Sequence, residues 1–370
     1  MNDDHTRIIT VARSVAMGLE EKVHCLELVD GPDTGRRYLV GDRGTVIGRA
    51  APADIVIADS EVSRAHCRVT IAGGDLIVTD LSSTNGSYVD GRRVLETAVL
   101  AVGSILQIGR NAFKHEWLTG RQLQKSDELD RDLATAASYV DALLPPRLTE
   151  GPIRADWFYL PCAKLGGDAF GYGVLPGGRF AVYLIDVSGH GAGAAMHSVA
   201  VMNLLRQGAL PDTDMARPEQ VLAKLNAMFQ MDRHADMYFT MWYGVYDPAG
   251  RRLDFAAAGH HPGYLIPPDR STAIPLQARN VMIGAMPDRT YRSESVTAPP
   301  GSSLVLFSDG AFEIVTHDGL QWRLENFVPL LLEPPVTGLS EPERLFQAVS
   351  SKARAREPDD DVSILILGFD

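Results

Sequence analysis

The stretch FAVYLIDVSGHG, residues 180–191, changes abruptly from apolar to polar character. Its first six residues form a continuous apolar run of the length of a buried β-strand. The run ends in Asp186, and Gly189 and Gly191 follow, so the backbone there can approach a ligand closely. We therefore predict a strand over 180–185 that places the carboxylate of Asp186 at the rim of a sheet.

Three further aspartates occupy similar positions. Asp168 lies in GGDAFG, Asp309 follows the apolar run LVLFS and precedes Gly310, and Asp360 stands shortly before the run VSILIL. An Asp before Gly is by itself a routine turn residue. Four such residues in one region, three of them at the ends of predicted strands, instead indicate a shared site.

Clustered carboxylates at one rim point to bound metal. Their oxygens are preferred ligands of small, hard divalent cations. Without compensating positive charge the carboxylates would repel one another strongly. Two divalent ions about 3.5 to 4 Å apart would supply that charge and could activate a shared water for attack on phosphorus. The sequence thus predicts a metal-dependent hydrolase.

Composition excludes several other classes of protein. The chain has 370 residues, of which 45% are hydrophobic and 22% charged, as expected for a soluble protein of two or three domains. Its formal charge of −12 disfavours nucleic acid or an anionic membrane as the main partner. Three scattered cysteines, Cys25, Cys67 and Cys162, argue for a reducing compartment without disulfides. With no signal peptide and no apolar stretch of roughly 18 to 20 residues, we expect a cytoplasmic protein.

The first third of the chain has the pattern of an all-β sandwich, after an N-terminal segment 1–24. Short apolar or alternating runs are separated by turn clusters such as DGPD, AGGD and SSTNG. Many short strands at this spacing favour a sandwich over 25–117. The predicted strands are 25–29, 37–40, 45–48, 55–57, 66–71, 76–80 and 104–108.

A helix is expected in the polar linker 121–146. Apolar residues at the a and d spacing of a helix seam recur from Leu129 through Leu133 to Leu143. Ser126 is suited to cap its N-terminus, and Pro145-Pro146 stops it. The seam over 126–144 is compatible either with packing inside one domain or with a homodimer.

Strands and helices mix in the remaining region, 147–370. Apolar runs at 237–246 and 253–258 flank the turn DPAG and predict a hairpin. Further buried strands are expected at 303–307 and 362–369. Strands in long runs with few helices between them favour an α+β sandwich over a doubly wound sheet.

Four ordered blocks between 25 and 117 resemble a forkhead-associated (FHA) domain: Gly48-Arg49, Asp54-Ile55, SRAH at 63–66 and STNG at 83–86. The resemblance implies a β-sandwich whose loops bind a phosphothreonine-containing partner. By this resemblance Arg49 and Ser63 hold the phosphate, Arg64 and Thr84 assist, and Asn85 binds the peptide backbone. A guanidinium with neutral hydrogen-bond donors suits a phosphate. We interpret His66 as structural; a sandwich that docks without phosphate is the alternative.

The region from about 145 closely resembles the PPM-type protein phosphatases of the bacterial SpoIIE-like branch. Five blocks carry the resemblance: LPP at 144–146, GGD at 166–168, DVSGHG at 186–191 with AGH at 258–260, SDGAFE at 308–313, and DDVS at 360–363. It implies hydrolysis of phosphoserine or phosphothreonine in proteins with two Mn²⁺ or Mg²⁺ ions. Asp186 would bridge the metals with the carbonyl of Val187, Asp168 would bind one metal, and Asp309 and Asp360 the other.

The chain departs from the family pattern at one position. Many relatives have a second Asp in GGDxxD, where this chain has Gly171, and we expect at most weaker metal affinity. No arginine for the substrate phosphate and no general acid is assignable. His190 is interpreted as loop structure, and His260 as shaping the sheet rim.

Two functional hypotheses follow. The first is an active protein serine/threonine phosphatase whose FHA domain recruits or senses a phosphothreonine partner. The second is a catalytically inactive phosphopeptide-binding scaffold. For the first, the resemblance suggests a phosphorylated bacterial regulator as substrate, such as an anti-sigma-factor antagonist, or a component of a kinase-linked phosphothreonine pathway.

Overall fold

The computed structural model describes residues 22–31, 34–355 and 358–370. The chain divides into two compact units, Met1–Arg131 and Asp132–Asp370. The expected N-terminal segment 1–24 lies outside the described residues except for its last three. No helix among the described residues is both long and apolar enough to cross a membrane.

The N-terminal unit is a β-sandwich, as predicted. One sheet has the strand order β2-β1-β11-β10-β7-β8, and the other the order β4-β3-β5-β6-β9. Leu26, Ile47 and Phe113 belong to the core that both sheets share. The strands are β1 (Lys22–Asp30), β2 (Arg37–Leu39), β3 (Thr45–Gly48), β4 (Ile55–Val56), β5 (Cys67–Ala72), β6 (Asp75–Asp80), β7 (Ser87–Val89), β8 (Arg92–Arg93), β9 (Thr97–Leu100), β10 (Ile105–Ile108) and β11 (Asn111–Thr119).

The predicted linker helix is present but starts earlier than expected. Helix α1 spans Gly120–Leu143. Its first turn is capped by Thr119, whose hydroxyl accepts from the backbone N–H of Gln122 while the Gln122 side chain accepts from the backbone N–H of Thr119. The expectation that Ser126 caps the helix is therefore wrong. Ser126 lies inside α1, and its hydroxyl accepts a hydrogen bond from Arg37.

The C-terminal unit is an α+β sandwich of two stacked sheets, as predicted. The first sheet has the order β13-β14-β15-β16-β19, with β20 also paired to β16, and the second has the order β12-β22-β21-β17-β18. The hairpin predicted around the turn DPAG is confirmed as β15 and β16. The strands are β12 (Ile153–Leu160), β13 (Ala169–Val174), β14 (Phe180–Val187), β15 (Phe239–Asp247), β16 (Arg252–Ala258), β17 (Gly263–Ile266), β18 (Ile274–Leu276), β19 (Arg279–Asn280), β20 (Glu294–Thr297), β21 (Ser302–Phe307) and β22 (Val362–Phe369).

Three apolar cores hold this unit together. Leu184 and Trp242 from the first sheet pack with Leu306 and Leu365 from the second in the core between the sheets. The outer faces of the two sheets pack against helices. This layering leaves the ends of the strands free to carry polar groups. The helices are α2 (Ala192–Arg206), α3 (Pro218–Met228), α4 (Leu324–Phe327) and α5 (Glu341–Ser350).

Candidate functional site

The four predicted aspartates come from the ends of strands in both sheets of the C-terminal unit. Asp168 precedes β13 and Asp186 is the penultimate residue of β14, both in the first sheet. Asp309 follows β21 and Asp360 precedes β22, both in the second sheet. Stacking the sheets brings these carboxylates to a common rim, where they influence one another's pKa values.

Asp168 is fixed by residues of the opposite sheet. It is buried, and its Oδ2 accepts a hydrogen bond of 2.7 Å from the hydroxyl of Ser363 in β22. Asp361 provides a second link. Its Oδ1 accepts from the backbone N–H of Cys162 at 2.8 Å, and its Oδ2 from that of Gly167 at 2.6 Å. Asp361 thereby ties the Asp168 loop to β22.

Asp361 is a further residue of the site, and its role is not evident from the sequence. Asp360 and Asp361 are adjacent acids before the same strand, and the sequence does not show which of them points inwards. In the structure Asp361 is only 2% exposed, whereas Asp360 is exposed. Buried Asp361 accepts backbone hydrogen bonds from the distant residues Cys162 and Gly167, whereas Asp360 accepts one from its neighbour Asp361.

Two glycines allow the segments of the site to approach each other. A Cβ atom at Gly310 would lie 2.3 Å from the carbonyl oxygen of Asp361, so only glycine lets the Asp309 turn pack against β22. A Cβ atom at Gly167 would lie 2.9 Å from the carbonyl oxygen of Val187. The carbonyl predicted to assist Asp186 therefore faces the loop that carries Asp168.

The site has an excess of negative charge. Burial, together with the carboxylates of Asp309 and Asp360, raises the pKa of Asp186 to about 7. Burial and the Asp360 carboxylate raise the pKa of Asp309 to about 6. Burial and the Asp186 carboxylate raise the pKa of Asp168 well above its usual range. Such shifts are expected where several carboxylates lie close together with little access to solvent.

Thr240 is a further side chain that contacts the cluster. It lies opposite Asp186 in the β14–β15 pairing, and its hydroxyl donates to Asp186 Oδ2 at 3.4 Å. This hydrogen bond lowers the pKa of Asp186, against the larger effect of burial. Thr240 cannot be recognised from the sequence, because its contact with Asp186 depends on strand register.

Cys162 lies beside the cluster. Its sulfur and carboxylate oxygens of Asp360 and Asp361 lie within 4.8 Å of one another. Burial and these two carboxylates raise the pKa of the Cys162 thiol to about 12. The thiol is therefore neutral at physiological pH and adds no charge to the site.

The histidines near the rim differ in character. His190 is exposed, and burial raises the pKa of Asp360 while the electrostatic interaction with His190 lowers it. His260 is buried, and burial lowers its pKa to about 4. The ring of His261 stacks on Phe307, the last residue of β21, at 4.5 Å. A neutral His260 with so low a pKa is poorly matched to proton donation near pH 7, in agreement with its interpretation as a structural residue.

The structure explains why position 171 lacks a carboxylate. A Cβ atom at Gly171 would lie 2.3 Å from the Tyr183 hydroxyl oxygen and 2.5 Å from its ring carbon Cζ. Tyr183 belongs to the helix-covered core of the first sheet. Gly171 therefore makes room for an aromatic side chain, and an aspartate there would have to displace it.

The predicted phosphothreonine-binding residues lie on neighbouring loops of the N-terminal unit. Ser63 Oγ accepts from the backbone N–H of Thr84 at 3.0 Å, and the backbone N–H of Arg49 donates to the carbonyl of Ser63 at 2.8 Å. Asn85 donates to the carbonyl of Glu61 at 2.8 Å. The side chains of Arg49, Arg64, Thr84 and Asn85 belong to exposed residues. An exposed group of this kind can receive a phosphate.

His66 is a buried residue that links the loop of Ser63 to the loop of Thr84 and Asn85. It is fully buried, its Nδ1 accepts from the backbone N–H of Ser63 at 3.0 Å, and its Nε2 lies 3.2 Å from the carbonyl of Gly86. These partners place the ring proton on Nε2. His66 thus holds the Ser63 loop against the Thr84–Gly86 loop, in agreement with a structural role.

The two-sheet sandwich with its rim of carboxylates defines a PP2C-type α+β domain. Residues 176–370 match the family described as Stage II sporulation protein E (SpoIIE), and residues 45–109 match the FHA domain. The SpoIIE match covers more than half of the chain. The chain therefore belongs to the SpoIIE family and carries an FHA domain in its N-terminal unit.

Curated relatives match each unit separately. Phosphoserine phosphatase RsbU of Bacillus subtilis is 28% identical over 213 residues, covering 57% of this chain and 61% of that protein. Phosphoserine phosphatase RsbP of the same organism is 25% identical over 241 residues, covering 64% of this chain and 57% of that protein. Glycogen accumulation regulator GarA of Mycolicibacterium smegmatis is 39% identical over 111 residues, covering 30% of this chain and 66% of that protein. The chain spans less than two thirds of the length of each of these relatives.

Solved structures support the fold of the C-terminal unit. The SiaA-PP2C domain of Pseudomonas aeruginosa superposes with a TM-score of 0.57 at 19% identity, covering 66% of this chain and 99% of that chain. The PP2C phosphatase domain of SpoIIE from Bacillus subtilis superposes with a TM-score of 0.50 at 18% identity, covering 59% of this chain and 64% of that chain. At these identities the similarity shows the fold alone.

Proposed function

We propose that this protein is a metal-dependent protein serine/threonine phosphatase whose FHA domain binds a phosphothreonine-containing partner. The observation that carries the proposal is the convergence of Asp168, Asp186, Asp309 and Asp360 from two sheets on one rim, where burial and mutual repulsion raise their pKa values. Membership of the SpoIIE family and similarity to two phosphoserine phosphatases support it.

The residues present fit two divalent cations. The donors are carboxylate oxygens and the carbonyl of Val187, which are the ligands that Mn²⁺ and Mg²⁺ prefer. In our proposal Asp168, Asp186, Asp309 and Asp360 would hold the two ions, and the backbone carbonyl of Val187 would assist Asp186. When bound, the ions would supply a nucleophilic water at neutral pH and neutralise charge on the phosphate.

The chain's own residues prepare the site for this chemistry. Ser363 and Asp361 hold the Asp168 loop in place, and Thr240 orients Asp186. Groups of this kind typically change metal affinity or activity by about 10- to 100-fold when they are removed. Asp168 is buried, which strengthens the electrostatic interactions of its carboxylate.

The FHA domain would bind its partner through the loops joined by His66. Arg49 and Ser63 are proposed to hold the phosphate, Arg64 and Thr84 to assist, and Asn85 to bind the peptide backbone. The FHA match and similarity to FHA-containing proteins support this assignment. A phosphorylated regulatory protein is the proposed substrate of the C-terminal unit, in keeping with the phosphoserine phosphatases that it resembles.

A homodimer through α1 completes the proposal. On this helix Leu129 is 58% exposed and Leu133 is partly exposed, so the apolar seam is not fully covered among the described residues. A second copy of the helix would bury it.

The test is hydrolysis of an aryl phosphate and of a phosphoserine-containing protein by the full chain, with Mn²⁺ and with a chelator. We expect activity that depends on the metal and is lost in Asp186→Asn. If the parent protein with Mn²⁺ hydrolyses neither substrate and Asp186→Asn leaves Mn²⁺ binding unchanged, the proposal is wrong, and the inactive scaffold becomes the better description.

A further inference from the structure

A row of side chains beside Asp186 faces away from the helix-covered core. Phe239 and Ile283 exchange two backbone hydrogen bonds and are fully buried in that core. Because side chains alternate along paired strands, Thr240 and Met282 lie on the opposite face. Thr240 contacts Asp186 directly, so this face is the one that carries the carboxylates. Met282 therefore lines the same rim, one strand further from Asp186 than Thr240.

Tyr238 extends this row towards solvent. It is two residues before Thr240, so its side chain lies on the same face. Its backbone exchanges hydrogen bonds with Ser188 in the DVSGHG loop, with its carbonyl accepting at 2.9 Å and its N–H donating to the hydroxyl at 3.1 Å. Tyr238 is 36% exposed, and Met282 is partly exposed. Strand alternation thus places an aromatic ring and a thioether on the face of the sheet that carries Thr240 and Asp186.

We do not expect either side chain to hold metal, because hard divalent cations prefer carboxylate and carbonyl oxygens. The side-chain hydrogen bond to Asp186 comes from Thr240. The Cβ atom of Met282 lies against Gly259, where an added Cβ atom would be only 2.7 Å away from it. Met286, further along the same segment, is an apolar side chain that is 44% exposed. Apolar surface grouped at the edge of a polar site is typical of a binding surface.

We propose that Tyr238 and Met282 form an apolar wall that binds the side chain adjacent to the phosphorylated residue, and that the substrate carries an apolar residue there. This inference rests on the proposed phosphatase function and specifies its substrate. The acidic groups of the rim, including exposed Glu313, whose charge raises the pKa of Asp309, would repel an acidic neighbour. Methionine adapts to side chains of different shape, so the wall selects apolar character rather than one residue.

The test compares two phosphoserine peptides that differ only beside the phosphoserine, where one has Leu and the other Ser. We expect the parent protein with Mn²⁺ to hydrolyse the Leu peptide with a kcat/KM about 10-fold higher, mainly through KM, since a partly exposed wall buries part of one leucine. In Tyr238→Ser and in Met282→Gln, which nearly preserves side-chain length, this ratio should fall towards 1. The matched control is Val174→Ser, an apolar residue 74% exposed on the edge strand β13, which should retain the parent ratio.

Mn²⁺ titration by calorimetry checks that each variant keeps its metal site. Equal hydrolysis of both peptides by the parent overturns the inference, as does a ratio that stays at the parent value in both wall variants. Failure of the phosphatase proposal is distinguishable, because the parent would then hydrolyse neither the peptides nor an aryl phosphate.

Discussion

Replacing Asp186 by Asn should stabilise the protein without metal. With metal, the variant should gain much less stability than the parent. In the folded protein the pKa of Asp186 is raised from 3.8 to about 7 by burial and by Asp309 and Asp360. That rise corresponds to about 4 kcal/mol of unfavourable free energy for the ionised form above pH 7. Relaxation of the site and the remaining carboxylates reduce the gain, so we expect the metal-free variant to be more stable by roughly 2 kcal/mol at pH 8. For a unit of this size that is about 4 to 8 °C in Tm.

The dependence on pH has a definite sign. A carboxyl group with a raised pKa binds its proton more tightly in the folded state, so its stabilising contribution is present at low pH and is lost as pH rises from about 4 to about 7. The difference between parent and variant should therefore be smaller at pH 5, where Asp186 of the folded protein is protonated, than at pH 8, and it should vanish only below about pH 4. With Mn²⁺ at 100 times its Kd, the parent should gain about 2.7 kcal/mol, and the variant much less.

Thermal unfolding of parent and variant at pH 5 and pH 8, each with Mn²⁺ and with a chelator, measures these stability differences. Asp232→Asn is the matched control, because Asp232 is an exposed residue of a short 3₁₀ helix outside the cluster, and we expect no change in either condition. A variant that is less stable than the parent without metal at pH 8 would refute the argument from repulsion. A variant stabilised by Mn²⁺ as strongly as the parent would refute the assignment of Asp186 as a ligand.

Three further predictions concern other parts of the molecule. Gly171→Asp should lower the free energy of unfolding by about 1 to 3 kcal/mol in thermal unfolding, since the new side chain must displace Tyr183. Calorimetry should show no tighter Mn²⁺ binding. Unchanged stability would contradict this account. Arg49→Ala should weaken binding of a phosphothreonine peptide by roughly 10- to 100-fold in fluorescence anisotropy, as expected for a lost charged hydrogen bond. If the parent protein bound the phosphorylated and unphosphorylated peptides equally well, the FHA domain would not recognise the phosphate. Leu133→Asp should convert a dimer to a monomer in light scattering, and a parent protein that is already monomeric would refute dimerisation through α1.

Local sequence signals predicted much of the fold. The apolar run before Asp186, the DPAG turn and the short strands of the FHA region all correspond to observed elements. These features depend on propensity and periodicity, which the sequence displays directly. The start of α1 was misplaced because both Thr119 and Ser126 are acceptable caps, and only the pairing of Thr119 with Gln122 decides between them.

Contacts between distant segments could not be predicted in the same way. The choice of Asp361 over Asp360 as the buried residue depends on its hydrogen bonds to Cys162 and Gly167, nearly 200 residues away in sequence. The glycine at 171 looked like a missing ligand because the sequence does not show that Tyr183 lies against it. Strand pairing decides these contacts, as it does the placement of Thr240 beside Asp186.

The hydrogen bonds across the two sheets explain how a repulsive cluster of carboxylates can persist in the folded protein. Asp361 accepts backbone hydrogen bonds from the Asp168 loop, and Ser363 donates to Asp168 itself, so β22 fixes a residue of the first sheet. The apolar core between the sheets holds the two rims at a set separation. Burial of that core offsets the repulsion that raises the pKa of Asp186 and Asp309. Apolar packing elsewhere in the sandwich thus stabilises a site whose negative charge bound cations would neutralise.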